Sequence, residues 1–225
     1  MIKNISNLGD AALYCDFGSN VDKTTNSRVI KYFNTIKEKK INGINNLTPS
    51  YNKLIISYDL KKTNFKEVKK IVEKLDIAES QEINSKKIEI PVCCDETFSL
   101  DIKRLEKILK LSGEKILDNF FNKEYFCYMT GFIAGMPFLG DLDENMRAQR
   151  LETPRVKVPR GSVGLTEQFA NIYTFESPGG WNIIGNTPVN VFDNLKETKP
   201  NLINAGDIVT FKKITLDQYK NYNEQ

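Results

Sequence analysis

The stretch from Gly131 to Pro188 holds eight of the chain's thirteen glycines, five of its eight prolines, four of its six arginines and its only tryptophan. Glycine permits positive φ and close backbone approach, whereas proline fixes φ and removes a donor, so this density specifies shaped loops and short strands instead of long helices. The stretch runs GFIAGMPFLGDLDEN, MRAQRLETPRVKVPRGSVGL and NIYTFESPGGWNIIGNTP. Function is to be sought there.

Upstream the text is periodic. Ala11 to Phe17 reads as a strand, and Asp22 to Lys40 as a helix with Val29, Ile30, Phe33 and Ile36 on one face. Ile41 to Leu47 and Lys53 to Tyr58 are strand candidates around a Thr-Pro-Ser turn. Asn64 with Glu67 forms a capping-box pattern, opening a helix striped by Phe65, Val68, Ile71, Val72 and Leu75. Lys86 to Val92 alternates as a further strand. The order βαββαβ predicts a ferredoxin-like α/β sandwich over residues 1–90. Residues 91–225 begin with helical text striped by Ile102, Leu105, Ile108 and Leu109. The strand Tyr125 to Phe132 follows, then the short runs NIYTF, WNIIG, PVNVF and DIVTFKK. Such closely spaced short strands predict a closed or nearly closed β-barrel, so the chain as a whole is α+β. A short helix is expected after Ile214.

The chain has no histidine, which removes every scheme that needs an imidazole base or ligand. Cys15, Cys93, Cys94 and Cys127 lack CxxC spacing and read as buried thiols; no metal site is expected. No run of about 18 apolar residues occurs, and the opening MIKNISNLGD lacks a secretory pattern, so neither a membrane nor a secreted setting is expected; the cytoplasm is. The lysines scatter along helix faces without a clustered basic excess, which argues against nucleic acid as a partner.

Within the Gly/Pro stretch, GSVG around Ser162 has the wrong spacing for a nucleophile elbow and reads as a tight turn. Asp141, Asp143, Asn145 and Glu152 match positions 1, 3, 5 and 12 of a calcium-binding loop, but Met146 stands at position 6, where that loop needs glycine. Arg147, Arg150, Arg155, Lys157 and Arg160 have two readings: guanidinium forks for a carboxylate or phosphate, or a surface loop paired with Asp141, Asp143, Glu144 and Glu152. SPGGWNIIGNTP reads as a barrel hairpin with a core tryptophan, or as a wall where paired glycines let backbone approach a ligand. No Walker-type or GxGxxG glycine pattern is present.

LGDAALYCDFG, GFIAGMPFLG, TPRVKVPRGSVG, IYTFESPGGWNIIGNTPVNVFD and NAGDIVTF, in this order, resemble the family of the 5-oxoprolinase B subunit, the kinase inhibitor KipI and the proteins labelled allophanate hydrolase subunit 1. The resemblance implies a carboxyltransferase-type chain whose second domain is a cyclophilin-like β-barrel. It also implies an ATP-dependent lactam hydrolase that converts 5-oxo-L-proline to L-glutamate with C-type and A-type companion subunits of 5-oxoprolinase, ATP being bound by or with a partner. The KipI branch implies instead an inhibitor that binds a sensor histidine kinase. Carried over by motif, Arg155 and Ser162 stand as catalytic candidates. Thr153, Arg160, Tyr173, Glu176, Pro178, Gly179, Gly180, Trp181 and Thr187 stand as substrate- or partner-binding candidates. The chain departs from the family pattern at Ala134–Met136, Ala148–Arg150, Arg160, Phe169–Asn171 and Asn186.

Overall fold

A computed structural model describes residues 2–77 and 85–222. The chain divides into two compact units, Met1–Asn84 and Ser85–Gln225. In the first, strands β1 (Asn4–Asn7) and β2 (Ala12–Asp16) precede helix α1 (Lys23–Lys39). Strands β3 (Ile44–Pro49) and β4 (Lys53–Tyr58) follow, then helix α2 (Phe65–Glu73). They form one antiparallel sheet in the order β1-β2-β4-β3.

The observed order is therefore ββαββα, not βαββαβ. The strand expected at Lys86 to Val92 forms, but it belongs to the second unit, and the polar hairpin strand β1 takes the sheet edge beside β2. Alternation of apolar residues announces a strand without saying which sheet it joins, so the correction lies in pairing and not in the existence of the strand. Three positions of β4 face inward, Leu54, Ile56 and Tyr58, and meet Val29 and Ile36 of α1 and Val68 and Val72 of α2. Each buried aliphatic side chain contributes about 1.5–3 kcal/mol relative to exposure.

Helix boundaries follow local chemistry. The Asp22 carboxylate accepts from the Thr25 N–H at 2.8 Å to start α1, and Lys40 ends it in the left-handed region at φ 44°. At α2 half of the expected capping box forms. Asn64 accepts from the Glu67 N–H at 3.2 Å, while the Glu67 carboxylate takes the Thr63 hydroxyl instead of reaching back to Asn64.

The second unit opens with β5 (Lys87–Cys93), α3 (Ile102–Leu109) and α4 (Gly113–Phe121). Strands β6 (Tyr125–Thr130), β7 (Pro137–Gly140), β8 (Arg155–Val158), β9 (Ser162–Thr166), β10 (Phe169–Ile172), β11 (Ser177–Gly179), β12 (Asn182–Asn186) and β13 (Ile208–Ile214) follow, and helix α5 (Leu216–Lys220) comes last. Among the described residues seven strands close a barrel in the order β10-β7-β6-β13-β5-β12-β9, with β9 pairing β10 to complete the ring. The pairing is mixed: β5 and β13 run parallel from Lys87↔Ile208 to Cys93↔Ile214, and the other barrel pairs are antiparallel.

Strands β8 and β11 stand apart as a two-stranded sheet. Their residues come from the proline-bounded text on either side of β9 and β10. PVNVF, expected as a strand, makes only the isolated bridge Phe192↔Asn201. Inside the barrel and under its helices, Val163, Leu165, Ile184 and Val209 pack with Phe120 and Phe211, whose rings stack at 4.7 Å. No helix among the described residues is long and apolar enough to cross a membrane. No group of three or more potential metal-ligating side chains occurs among them.

Burial pushes the Cys15 and Cys94 thiols up to about 12. A raised thiol pKa means the neutral form persists at pH 8, where alkylation needs the thiolate. Both are expected to resist iodoacetamide at pH 8 in the native protein and to react after unfolding in urea. Peptide mapping by mass spectrometry checks this, and rapid native labelling of either would contradict it.

Candidate functional site

A cavity of about 300 Å³ opens on the barrel unit where the β8/β11 sheet meets β7 and the start of β12. Phe138 of β7 and Trp181 form a corner, their rings 5.6 Å apart and inclined at 75°. Met136, Tyr173, Pro178, Gly179 and Gly180 complete the walls, with Phe132, Pro154 and Arg150 around them. Gly179 is required there: a Cβ would lie 2.1 Å from the Tyr173 hydroxyl. A groove of about 470 Å³ on the first unit, between α1 and β3, is larger, but it gathers none of the sequence-derived candidates.

Among the described residues Arg150 is the only charged side chain lining the barrel cavity, and its guanidinium lies 5.8 Å from the Trp181 ring centre. The backbone on both sides of the two residues is tied together. The Leu151 N–H donates to the Gly180 carbonyl at 2.7 Å, and the Asn182 side-chain amide donates to the Gln149 carbonyl at 3.0 Å. Arg104 of α3 adds bonds to the Asn182 side chain and to the Gln149 and Arg150 carbonyls. Residues flanking Arg150 are thus pinned to residues flanking Trp181. Among the described residues Arg150 enters no ion pair.

Arg155 serves a different purpose. It pairs through its backbone with Gly179 in the β8/β11 sheet, and its Nη2 donates to the Asp101 carboxylate at 2.6 Å. Asp101 is 4% exposed and its second oxygen accepts from the Ile183 N–H at 2.6 Å. One buried carboxylate therefore links the entry to α3, the cavity-side sheet and β12. Asp101 occupies the N-cap position of α3 but makes no side-chain cap bond; its ion-pair partner Arg155 lies 54 residues away in sequence.

Of the candidates taken from sequence, Tyr173, Pro178, Gly179, Gly180 and Trp181 come together in the cavity. Ser162 is 2% exposed on β9, outside the cavity lining. Thr153 is exposed next to the lining residue Pro154, and the exposed Glu176 pairs with Lys157 at 3.0 Å. Arg160 is exposed, and its carbonyl accepts from the Asn186 side chain at 2.9 Å. Thr187 closes a turn: its hydroxyl accepts from the Val189 N–H at 3.2 Å, and its own N–H donates to the Gly161 carbonyl at 2.8 Å.

Phe132, Met136, Phe138 and Pro154 are lining residues that sequence reasoning passes over; Arg150 stands out there only as one of a run. The pairing of that run with the nearby acids is not what forms. Asp143 takes Lys123 and Asp141 accepts from the Tyr128 hydroxyl, while Arg155 and Lys157 find Asp101 and Glu176.

Burial raises the Tyr173 phenol above its ordinary range. Hydrogen bonds from the Asn171 side chain and the Trp181 backbone, and the charges of Arg150 and Arg155, oppose that rise without cancelling it. Tyr173 is therefore a neutral O–H at neutral pH and no proton acceptor. The site presents aromatic walls, one cation and close backbone, which suits selective binding of a small anion more than nucleophilic attack.

Residues 3–203 match the carboxyltransferase domain, subdomain C and D, family. The chain is 36% identical to the B subunit of 5-oxoprolinase from Bacillus subtilis over 98% of its own length and 97% of that protein's. The solved structure of TTHA0988 superimposes with a TM-score of 0.82 at 28% identity, covering 91% of this chain and 40% of the other. Urea amidolyase of Saccharomyces cerevisiae is 21% identical over 92% of this chain, which spans only 13% of that much longer protein.

Proposed function

This chain belongs to the family of the 5-oxoprolinase B subunit, built on the carboxyltransferase domain's subdomains C and D, and on that premise we propose that it is one component of an ATP-dependent lactam hydrolase acting on 5-oxo-L-proline. The observation that carries this reading is the match along nearly the full length of both chains to a protein named for that activity. The second unit, a closed barrel with an open cavity at one side, fits the expected cyclophilin-like domain. In the first unit strands β2, β4 and β3 stand beside each other in the order a ferredoxin-like sheet would give them, with β1 as a substitute for the other edge.

Opening a five-membered lactam adds water across the C–N bond, and a stable amide needs activation for this. ATP supplies that activation in the proposed reaction. The barrel cavity does not fit a nucleotide triphosphate: several negative charges call for several cations or a nest of backbone amides, and here one guanidinium faces mainly apolar walls. Nucleotide is therefore assigned to companions of the C and A types, and no chemical step is assigned to this chain. Arg155 acts in this reading as a positioning residue through Asp101, and Ser162 as part of the β9 framework.

Reconstitution tests the proposal. Co-expression with both companions is expected to yield a complex that forms glutamate and hydrolyses ATP only when 5-oxo-L-proline is present, while this chain alone does neither. An assembled complex that forms no glutamate would overturn it.

A further inference from the structure

We propose that the barrel cavity is the subsite that holds the carboxylate of the lactam acid, with Arg150 as the carboxylate-binding residue and the Phe138–Trp181 corner receiving the ring. The inference rests on the preceding reading for the identity of the acid. The carboxylate site itself rests on geometry.

Three observations converge. First, Arg150 is the cavity's single charge and has no ion-pair partner among the described residues, although it stands within reach of several acidic side chains in sequence. Arg150 is exposed at the mouth of the cavity, where a planar guanidinium can present two parallel donors to an incoming carboxylate. Second, the backbone that carries it is tied to the segment around Trp181 on both sides, by the Leu151–Gly180 and Asn182–Gln149 hydrogen bonds. A surface arginine with no task has no need of such a frame, and pre-ordering cuts the entropy lost on binding. Third, the walls are chemically matched to a small ring. Two aromatic rings meeting edge to face leave a corner for a flat, mostly apolar body, and about 300 Å³ lies at the lower end of small-molecule sites.

The geometry also orders the ligand. With its carboxylate on Arg150 at the exposed side and its ring in the corner, the lactam carbonyl is left near the Gly179–Gly180 backbone and Tyr173. A nucleotide or a companion protein would have to approach it there.

The sole tryptophan lines the cavity, so its emission reports occupancy directly. Titration of this chain, and of its complex with companions in the absence of ATP by equilibrium dialysis, is to be made with 5-oxo-L-proline, with 2-pyrrolidinone, which lacks the carboxylate, and with ATP. Saturable binding of 5-oxo-L-proline is expected, with 2-pyrrolidinone and the Arg150→Ala variant each weaker by about tenfold or more, as loss of a hydrogen bond to a charged group implies. The Arg150→Ala variant should no longer prefer the acid over 2-pyrrolidinone, and Arg150→Lys should regain part of the preference. ATP is expected to leave the emission unchanged. Arg150→Ala binding the acid as tightly as the native chain in both settings, or absence of acid binding in both, would overturn the inference. The outcomes separate from those of the functional reading. Glutamate formation that survives Arg150→Ala in the complex removes the subsite and leaves the function standing; acid binding that depends on Arg150 in a complex unable to make glutamate does the reverse.

Discussion

Arg155→Ala is expected to lower the unfolding free energy of the barrel unit by about 1.5–3 kcal/mol, the usual worth of a hydrogen bond to a charged group, because the guanidinium is half-buried while its carboxylate partner is buried. The size follows from what is left behind. Asp101 is 4% exposed and has two close donors, Arg155 Nη2 and the Ile183 N–H, so deleting the guanidinium strands a buried carboxylate on one amide. The same deletion frees β8, whose pairing with β11 forms a wall of the cavity. Urea unfolding followed by Trp181 emission reports this unit selectively. A midpoint equal to that of the native chain would show that the pair contributes nothing. Replacing both partners, Arg155→Met with Asp101→Asn, is expected to recover part of the loss, because it removes the stranded charge as well as the bond.

Gly161→Ala is expected to cost about 3 kcal/mol, combining left-handed strain with overpacking. Gly161 sits at φ +81°, and a Cβ there would lie 2.4 Å from the Thr187 carbonyl and 2.5 Å from the Asn186 side-chain oxygen. The first of these is backbone and cannot rotate away. Asn186 is itself held between the Arg160 carbonyl and the Tyr219 hydroxyl, at 2.9 Å each, so displacing it disturbs the docking of α5. Gly9→Ala provides the comparison. Its φ of +59° carries the strain, but no atom lies within 4 Å of the added carbon, so only about 1 kcal/mol should be lost. Circular dichroism melts of the two variants measure the difference, and equal losses would remove the steric half of the argument.

Legibility in the sequence tracks the range of the interactions. Stripes such as Val29 with Ile36, or Val68 with Val72, are local, and both pairs are buried as the spacing requires. The stripe of α3 is narrower than its spacing suggests. Leu105 is buried with Ile102 and Leu109 packed beside it, whereas Ile108 is 44% exposed, one position off the face. Strand β1, Asn-Ile-Ser-Asn, carries no alternating signal strong enough to mark it, because an edge strand needs few apolar residues.

At the site, SPGGW is conspicuous because close approach of backbone demands glycine, and Gly179 beneath Tyr173 is the reason. The partners that define the site lie far off in sequence. Nothing local tells that Arg155 reaches Asp101, that Phe138 forms a corner with Trp181, or that Arg150 and not its neighbours lies on the indole.

The parallel pairing of β5 with β13 also governs when the barrel can exist during synthesis. Ser85, just ahead of β5, bonds through its hydroxyl to the Gly206 carbonyl, 121 residues downstream. At ~5–20 residues per second, a ribosome takes on the order of ten seconds to deliver β13 after β5 has been made. Throughout that interval the Ile90 and Val92 side of β5 lacks its closing neighbour, whereas the sheet of the first unit has every strand it needs. The emerging chain thus carries a finished domain followed by an unsealed one, and that interval is when a chaperone has most to protect.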